Sequence, residues 1–189
     1  KSLYDLAQWV VLQQGLASYL SETQTGDILT AIEQDKPPVE VDGEIWNEWQ
    51  SRLREHIQAF GYILYNLDFA EPVPAEDPTP SLEIIKVYLR GEGADPHQRQ
   101  SRLEQQRLEA TQTLLDRARG PRGWVVRKAL GWAQAMAEVR EDSIASIGLA
   151  YPLLRELLRE LGLRFIEAGA IQEPEDIYWL EEKEIEESI

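Results

Sequence analysis

The sequence contains no cysteine, one methionine and only two histidines. Disulfides, thiolate metal sites and cysteine nucleophiles are excluded together, and a histidine-based metal site or triad has almost nothing to draw on. No apolar run approaches the ~20 residues needed to cross a bilayer, and no signal-peptide pattern opens the chain. Basic residues are also in short supply. With 19 Lys and Arg against 34 Asp and Glu, the net charge of -15 repels nucleic acid and anionic membrane surfaces, so neither is expected as a partner. A glycine-rich phosphate loop is missing as well. Gly91-Glu92-Gly93 has no following lysine and lies after a helical pattern, where it reads as a helix terminator.

What is present is a globular, helix-patterned chain, 43% hydrophobic and 28% charged. It starts at Lys1 rather than Met and enters a helical pattern at once, as expected of a piece of a longer protein; a processed secreted domain is the alternative. Leu3, Leu6, Ala7, Val10, Leu16, Tyr19 and Leu20 recur at helical spacing. Ile28, Leu29 and Ile32 form a second run before Pro37-Pro38, predicting a helical hairpin over 1–36. Residues 43–119 read as helices around a long loop. Trp46, Trp49, Leu53, Ile57 and Phe60 mark a helix ending at Gly61, and the loop Tyr62–Pro80 is apolar and proline-rich, so it should pack down onto helices. Asp77 or Thr79, each followed by proline, and Asp95-Pro96 are helix starts. The helix after Pro96 is polar, with Leu103, Leu114 and Leu115 as expected anchors.

Over 123–169 the residues Val125, Ala129, Trp132, Met136 and Val139 keep a 4-3-4-3 spacing that continues through Ser143, Ser146, Ala150, Leu153 and Leu157. That spacing predicts one long helix whose seam packs against neighbouring helices, kinked or broken by Pro152 near Gly148. Gly169 is the expected stop, and 173–189 reads as a closing turn and the start of a further helix. The predicted fold is therefore all-α: a single irregular helical bundle built on one long Pro-kinked helix, with one long apolar loop.

His56, beside Ile57, is expected to be a partly buried hydrogen-bonded residue, and His97, in the first turn of a polar helix, to be exposed. Between Arg99 and Lys128 lie eight basic and three acidic residues, reversing the sign of the chain. This reads as solvated helix surface, or as a contact for an acidic partner or neighbouring domain. Ser143 and Ser146 interrupt the apolar seam just after Arg140-Glu141-Asp142, among Ala145, Gly148 and Ala150. The interruption reads as a polar cavity wall, as a solvent-exposed gap or as a close helix crossing.

Three stretches carry a family resemblance. Arg140-Glu141-Asp142-Ser143-Ile144, the run Leu153 to Gly162 and the closing Gly169 to Leu180, with its Glu173-Pro174-Glu175-Asp176, resemble the end of the middle region of phosphoenolpyruvate synthase-like enzymes, a group that includes rifampin phosphotransferases. Phe60-Gly61-Tyr62, Leu67 to Pro72 and Glu76-Asp77-Pro78 resemble an earlier part of that region. The resemblance implies an acceptor-binding or interdomain region of an ATP-dependent, phosphohistidine-type phosphotransferase of the kinase or dikinase kind, inactive on its own and cytoplasmic. Its partners would be an ATP-grasp domain, which binds ATP and Mg, and a mobile phosphohistidine domain of the same polypeptide, with an unidentified small-molecule acceptor. No cofactor, metal ligand or complete catalytic residue set is expected in this chain itself. The resemblance also implies acceptor contacts at Arg140 and Glu141, and Tyr62, Asp68 and Ser143 are further substrate-binding candidates, with the break at Arg140–Ser146 expected to face the loop after Gly61. The family's lysine three residues after the glutamate is Ile144 here, and its Gly-His is Gly61-Tyr62, so the acceptor goes unnamed. The competing expectation is a non-enzymatic helical interaction module that binds protein through Trp46 and Trp49 or through the basic helix.

Overall fold

A computed structural model describes residues 2–63, 68, 70–118, 120–181 and 183–184, less the side chains at 138, 141, 142, 144–147 and 149. The described chain is all-α, with no strand. Its helices are α1 (Ser2–Val11), α2 (Gln14–Glu22), α3 (Thr25–Glu33), α4 (Gly43–Phe60), α5 (Thr79–Leu89), α6 (Pro96–Arg117), α7 (Gly120–Leu149) and α8 (Tyr151–Glu167), followed by a 3-10 helix over Pro174–Trp179. The chain divides into two compact units, Lys1–His56 with Thr79–Ser143, and Ile57–Pro78 with Ile144–Ile189.

In the first unit, Leu3, Leu6, Ala7 and Val10 of α1 form one buried helical stripe. The stripe packs against α5 and α2, and α3 also packs on α5. The predicted hairpin is in fact three short helices. The chain leaves α1 at Leu12-Gln13, where Leu12 is 76% exposed and so contributes nothing that would hold one continuous helix against the core. Trp46 and Trp49 of α4 have no exposed surface, and their rings lie 4.9 Å apart, with Tyr19 set edge-on to Trp46. This corrects the expectation of a Trp46/Trp49 docking stripe, because the indoles are the centre of the core.

Lys86 of α5 is also buried, and its ammonium donates to the Thr23 carbonyl at 2.8 Å and to Thr25 Oγ1 at 3.4 Å. Thr23 is the C-cap of α2, so the cation satisfies a carbonyl at the negative end of that helix while Thr25 donates to Glu83. His56 bears out its expectation, half-buried with Nδ1 3.0 Å from Ser2 Oγ. His97 is exposed, and Asp95 caps α6 by accepting from the amides of His97 and Gln98.

The rest of this unit departs from the predicted bundle. Helix α6 has no fully buried residue: of its expected anchors Leu103 is 51% and Leu114 46% exposed, and Leu115 is half-buried. The seam of α7 is exposed too, and its predicted packing partners are not found among the described residues. Trp132 is 70%, Val125 57%, Val139 54% and Met136 45% exposed.

In the second unit, the described part of the long loop does pack down. Val73 and Pro74 are buried, and the Ala75 amide donates to the Gly61 carbonyl at 3.0 Å. The long helix breaks at Ala150, one residue before α8, where Pro152 sits in the first turn and lacks the donor that would continue α7. A Cβ on Gly148 would come within 2.5 Å of the Tyr62 carbonyl, so the small residue permits a close approach of the loop backbone to α7. At the far end of α8, Gly169 adopts φ 76°, the Gly169 amide donates to Ile166 O and the Ala170 amide to Phe165 O. These are the two bonds of a Schellman cap. Lys183 and Glu184 are helical, and the remainder of the predicted terminal helix lies outside the described residues.

Two predictions follow from these local structures. Gly169→Ala, which forces a Cβ into the left-handed region, is expected to lower the stability of the second unit by about 1 kcal/mol, measured by chemical denaturation. Burial holds the His56 imidazole below its ordinary pKa, so the unfolded chain takes up this proton first as the pH falls. The stability that the neutral imidazole allows is complete above about pH 6.5 and declines from there down to the lower folded value. Denaturation midpoints measured from neutral to mildly acid pH should therefore fall less in His56→Gln than in the native chain.

Candidate functional site

The second unit contains an open cleft of about 600 Å3. Three segments build it: Ala70, Pro72 and Glu76 from the loop, Pro152, Arg155, Glu156 and Arg159 from α8, and Glu175 and Tyr178 from the 3-10 helix. The α8 residues share a face because 152, 155, 156 and 159 fall at i, i+3, i+4 and i+7. The 3-10 helix is fixed at its start by a reciprocal capping box between Glu173 and Asp176. It lies against α8 closely enough that a Cβ on Gly162 would meet the Pro174 carbonyl at 2.3 Å.

Arg155 organises the floor. Its side chain is 9% exposed, its Nε donates to both oxygens of Glu76 at 2.8 and 3.0 Å, and its guanidinium lies 5.1 Å from the centre of the Tyr178 ring. A buried guanidinium is tolerable only with such partners, and the planar group meets a carboxylate and an aromatic face at once. Arg159, one turn on, is exposed and stands 3.9 Å from the exposed carboxylate of Glu175, a separation that leaves it available to a ligand. Burial raises the pKa of the Tyr178 phenol against the opposing charge of Arg155, with Glu76 and Glu175 adding to the rise. Tyr151 is raised by burial and then by Asp68. Both phenols are therefore hydroxyl donors at neutral pH.

The described lining contains no histidine, serine or threonine. Arginines, carboxylates, a phenol and proline walls suit holding and orienting a polar, ring-bearing molecule. A cleft of this size is in the range of small-molecule sites, about 300–1,000 Å3. The Gly91-Glu92-Gly93 turn is a helix terminator and not a phosphate loop, since Gly91 has φ 73° and the Gly91 and Glu92 amides donate back to the Tyr88 and Val87 carbonyls of α5. No cluster of three or more metal-ligating side chains occurs among the described residues.

The sequence-predicted site residues are distributed between the units. Arg140 and Ser143 fall in the first and are exposed, and Ser143 Oγ donates to Val139 O at 2.7 Å within its own helix. The Glu141 side chain lies outside the described residues. Tyr62 and Asp68 belong to the second unit. Asp68 supports the cleft directly, because its carboxylate accepts from the amide of Ala70 at 2.9 Å and shapes the turn that brings Ala70 to the lining. Arg155, Arg159, Glu76 and Tyr178 were not singled out from the sequence. Their available signals were the pair of arginines at i, i+4 and their position within the Glu76-Asp77-Pro78, Leu153–Gly162 and Gly169–Leu180 stretches.

Glu76→Gln removes the charge opposite a buried guanidinium and is expected to destabilise the second unit by about 2 kcal/mol. Glu175→Gln, in an exposed pair, should change stability by less than about 0.5 kcal/mol. Chemical denaturation followed by loss of helical circular dichroism distinguishes the two.

A family model described as the rifampicin phosphotransferase fourth domain matches residues 1–141. No curated protein matches the chain. The matched span takes in helices α1 to α6, the loop that carries Glu76 and most of α7, while α8 and the 3-10 helix lie after it. With about three-quarters of its residues in that match, the chain belongs to the rifampicin phosphotransferase fourth-domain family.

Proposed function

We propose that this chain is the acceptor-binding or interdomain region of an ATP-dependent, phosphohistidine-type phosphotransferase, inactive on its own, and that the cleft on α8 holds the acceptor. The observation that carries this reading is the family match over residues 1–141. In it, an ATP-grasp domain of the same polypeptide binds ATP and Mg, and a mobile phosphohistidine domain brings the phosphoryl group to the acceptor in a second covalent step. The residues of this chain bind and orient. Tyr178 and the proline walls offer apolar faces, Arg159 offers a cation to an anionic or hydroxyl group, and Glu156 offers a carboxylate to an acceptor hydroxyl. Arg140, Glu141, Tyr62, Asp68 and Ser143 remain acceptor-contact candidates on the strength of the resemblance. The reading places the enzyme in the cytoplasm, and no described helix is long and apolar enough to cross a membrane.

The rival reading, a non-enzymatic interaction module, is favoured by one observation, the exposed apolar and basic surface of α6 and α7. The two differ in what the parent polypeptide contains. A parent without an ATP-grasp domain and a phosphohistidine domain would overturn the phosphotransferase reading.

In a parent that has both, Tyr178→Ala and Arg159→Ala are expected to lower kcat/KM for the acceptor at least about tenfold while ATP-dependent phosphorylation of the histidine is retained. Arg140→Ala should act in the same direction. Loss of both steps in each variant would assign these residues a structural role instead.

A further inference from the structure

The lining of the cleft carries an excess of one charge. Glu76, Glu156 and Glu175 line it against Arg155 and Arg159, so three carboxylates face two guanidiniums. The excess belongs to one residue. Arg155 is matched by Glu76, whose two oxygens its Nε meets at 2.8 and 3.0 Å. Arg159 is matched, more loosely, by Glu175 at 3.9 Å. Glu156 is exposed on the same face of α8, one turn before Arg159, and makes no ion pair among the described residues.

An unpaired carboxylate on an open helix face costs nothing while water solvates it. A ligand that fills the cleft displaces that water, and the charge then needs a counter-charge from the ligand itself. A molecule with one cationic group leaves the lining neutral. An anionic molecule does the reverse: it must draw Arg159 away from Glu175, and it leaves both Glu175 and Glu156 without a cation. The field of the chain acts in the same direction, since a net charge of -15 attracts cations and holds anions off before contact. Pro72, Pro152 and the ring of Tyr178 supply the apolar walls for the rest of the molecule.

We propose that the ligand of this cleft is an organic cation, an apolar, ring-bearing molecule with one protonated amine that pairs with Glu156, and not an organic acid. The proposal deepens the acceptor reading and rests on it for the role of that molecule. In an acceptor of this class, Glu156 takes the amine and Arg159 is left for the hydroxyl.

Equilibrium binding to the chain alone, followed by ligand-observed NMR, tests the charge with three probes that share one ring system: 2-naphthylmethylamine, 2-naphthylmethanol and 2-naphthoate. At neutral pH and low salt the amine should bind at least about fivefold more tightly than the naphthoate, with the alcohol between them. Added salt should narrow the difference. Tyr178→Ala should weaken all three, which locates them in the cleft. Glu156→Gln should bring the three to within about twofold of one another. Glu160→Gln removes the same charge from the same helix at an exposed position outside the lining, and should leave the preference in place. That control separates the cleft from the general negative field of the chain. Naphthoate binding as tightly as the amine, a preference that survives Glu156→Gln or is lost equally in Glu160→Gln, or amine binding that Tyr178→Ala does not weaken would overturn the proposal. No phosphoryl donor is present, so those results leave the phosphotransferase reading standing. A parent without the ATP-grasp and phosphohistidine domains overturns that reading and leaves the charge preference of the cleft as measured.

Discussion

The second unit depends on one buried cation. Arg155 reaches the loop through Glu76, which lies 79 residues earlier in the chain, and the 3-10 helix through the face of Tyr178, so a single guanidinium joins all three walls of the cleft. A hydrophobic contact at this point would hold the segments together without fixing their angles. The geometry of a carboxylate on the guanidinium edge and a ring on its face is directional, and it sets where Arg159 and Glu175 stand at the rim. The cost of keeping a charge in a poorly solvated place is offset only while both partners remain, which makes the cleft and the stability of this unit parts of the same arrangement. Gly162 serves the same end from the backbone side, since the 3-10 helix can approach α8 only where no side chain intervenes.

The first unit is organised differently. Its core is a small cluster of α1 to α5, centred on two indoles and on Leu16, Leu20, Ile28, Leu82 and Ile85. One polar device, Lys86 with the Thr23 carbonyl, Thr25 and Glu83, ties the junction of α2 and α3 to α5. Helix α6 and the described part of α7 in this unit add almost nothing to that core, Gly123 being buried. A polar helix such as α6 gains little from burial and is maintained by its Asp95 cap and by i, i+4 pairs such as Gln105–Glu109 and Gln112–Asp116. Helix α7 is a different case, because its apolar seam has the composition of a buried face and the exposure of a surface.

Much of the architecture was legible in the sequence because it is written in local chemistry. Asp95-Pro96, Gly61, Gly91, Gly169 and Pro152 start, stop or break helices through backbone geometry and capping, which act within a turn of the residue itself. The all-helical class follows from periodicity. What periodicity does not encode is the partner. Trp46 and Trp49 have the same spacing whether they face solvent or core, and the seam of α7 reads as buried whether or not a neighbour covers it. The interruption between α1 and α2 was hidden because Leu12, though apolar, is not used by the core. The cleft was harder still. Arg140 and Glu141 stood out through the family resemblance, whereas Arg155 became significant only once folding brought a loop carboxylate and a distant tyrosine to it.

The family match and the cleft draw on different parts of the chain. The match to the rifampicin phosphotransferase fourth domain spans residues 1–141, so it covers the indole core and the wall that supplies Glu76, whereas Arg155, Arg159 and Tyr178 come from later residues. The α8 and 3-10 parts of the cleft lining therefore lie outside the span that defines the family, and the core of the first unit lies within it. Arg155 is the constraint on change in the cleft. Its replacement would leave Glu76 without its cation and Tyr178 without its stacking partner, so substitution is structurally open at Arg159, Glu156 and Glu175, the exposed rim positions, and closed at the buried floor.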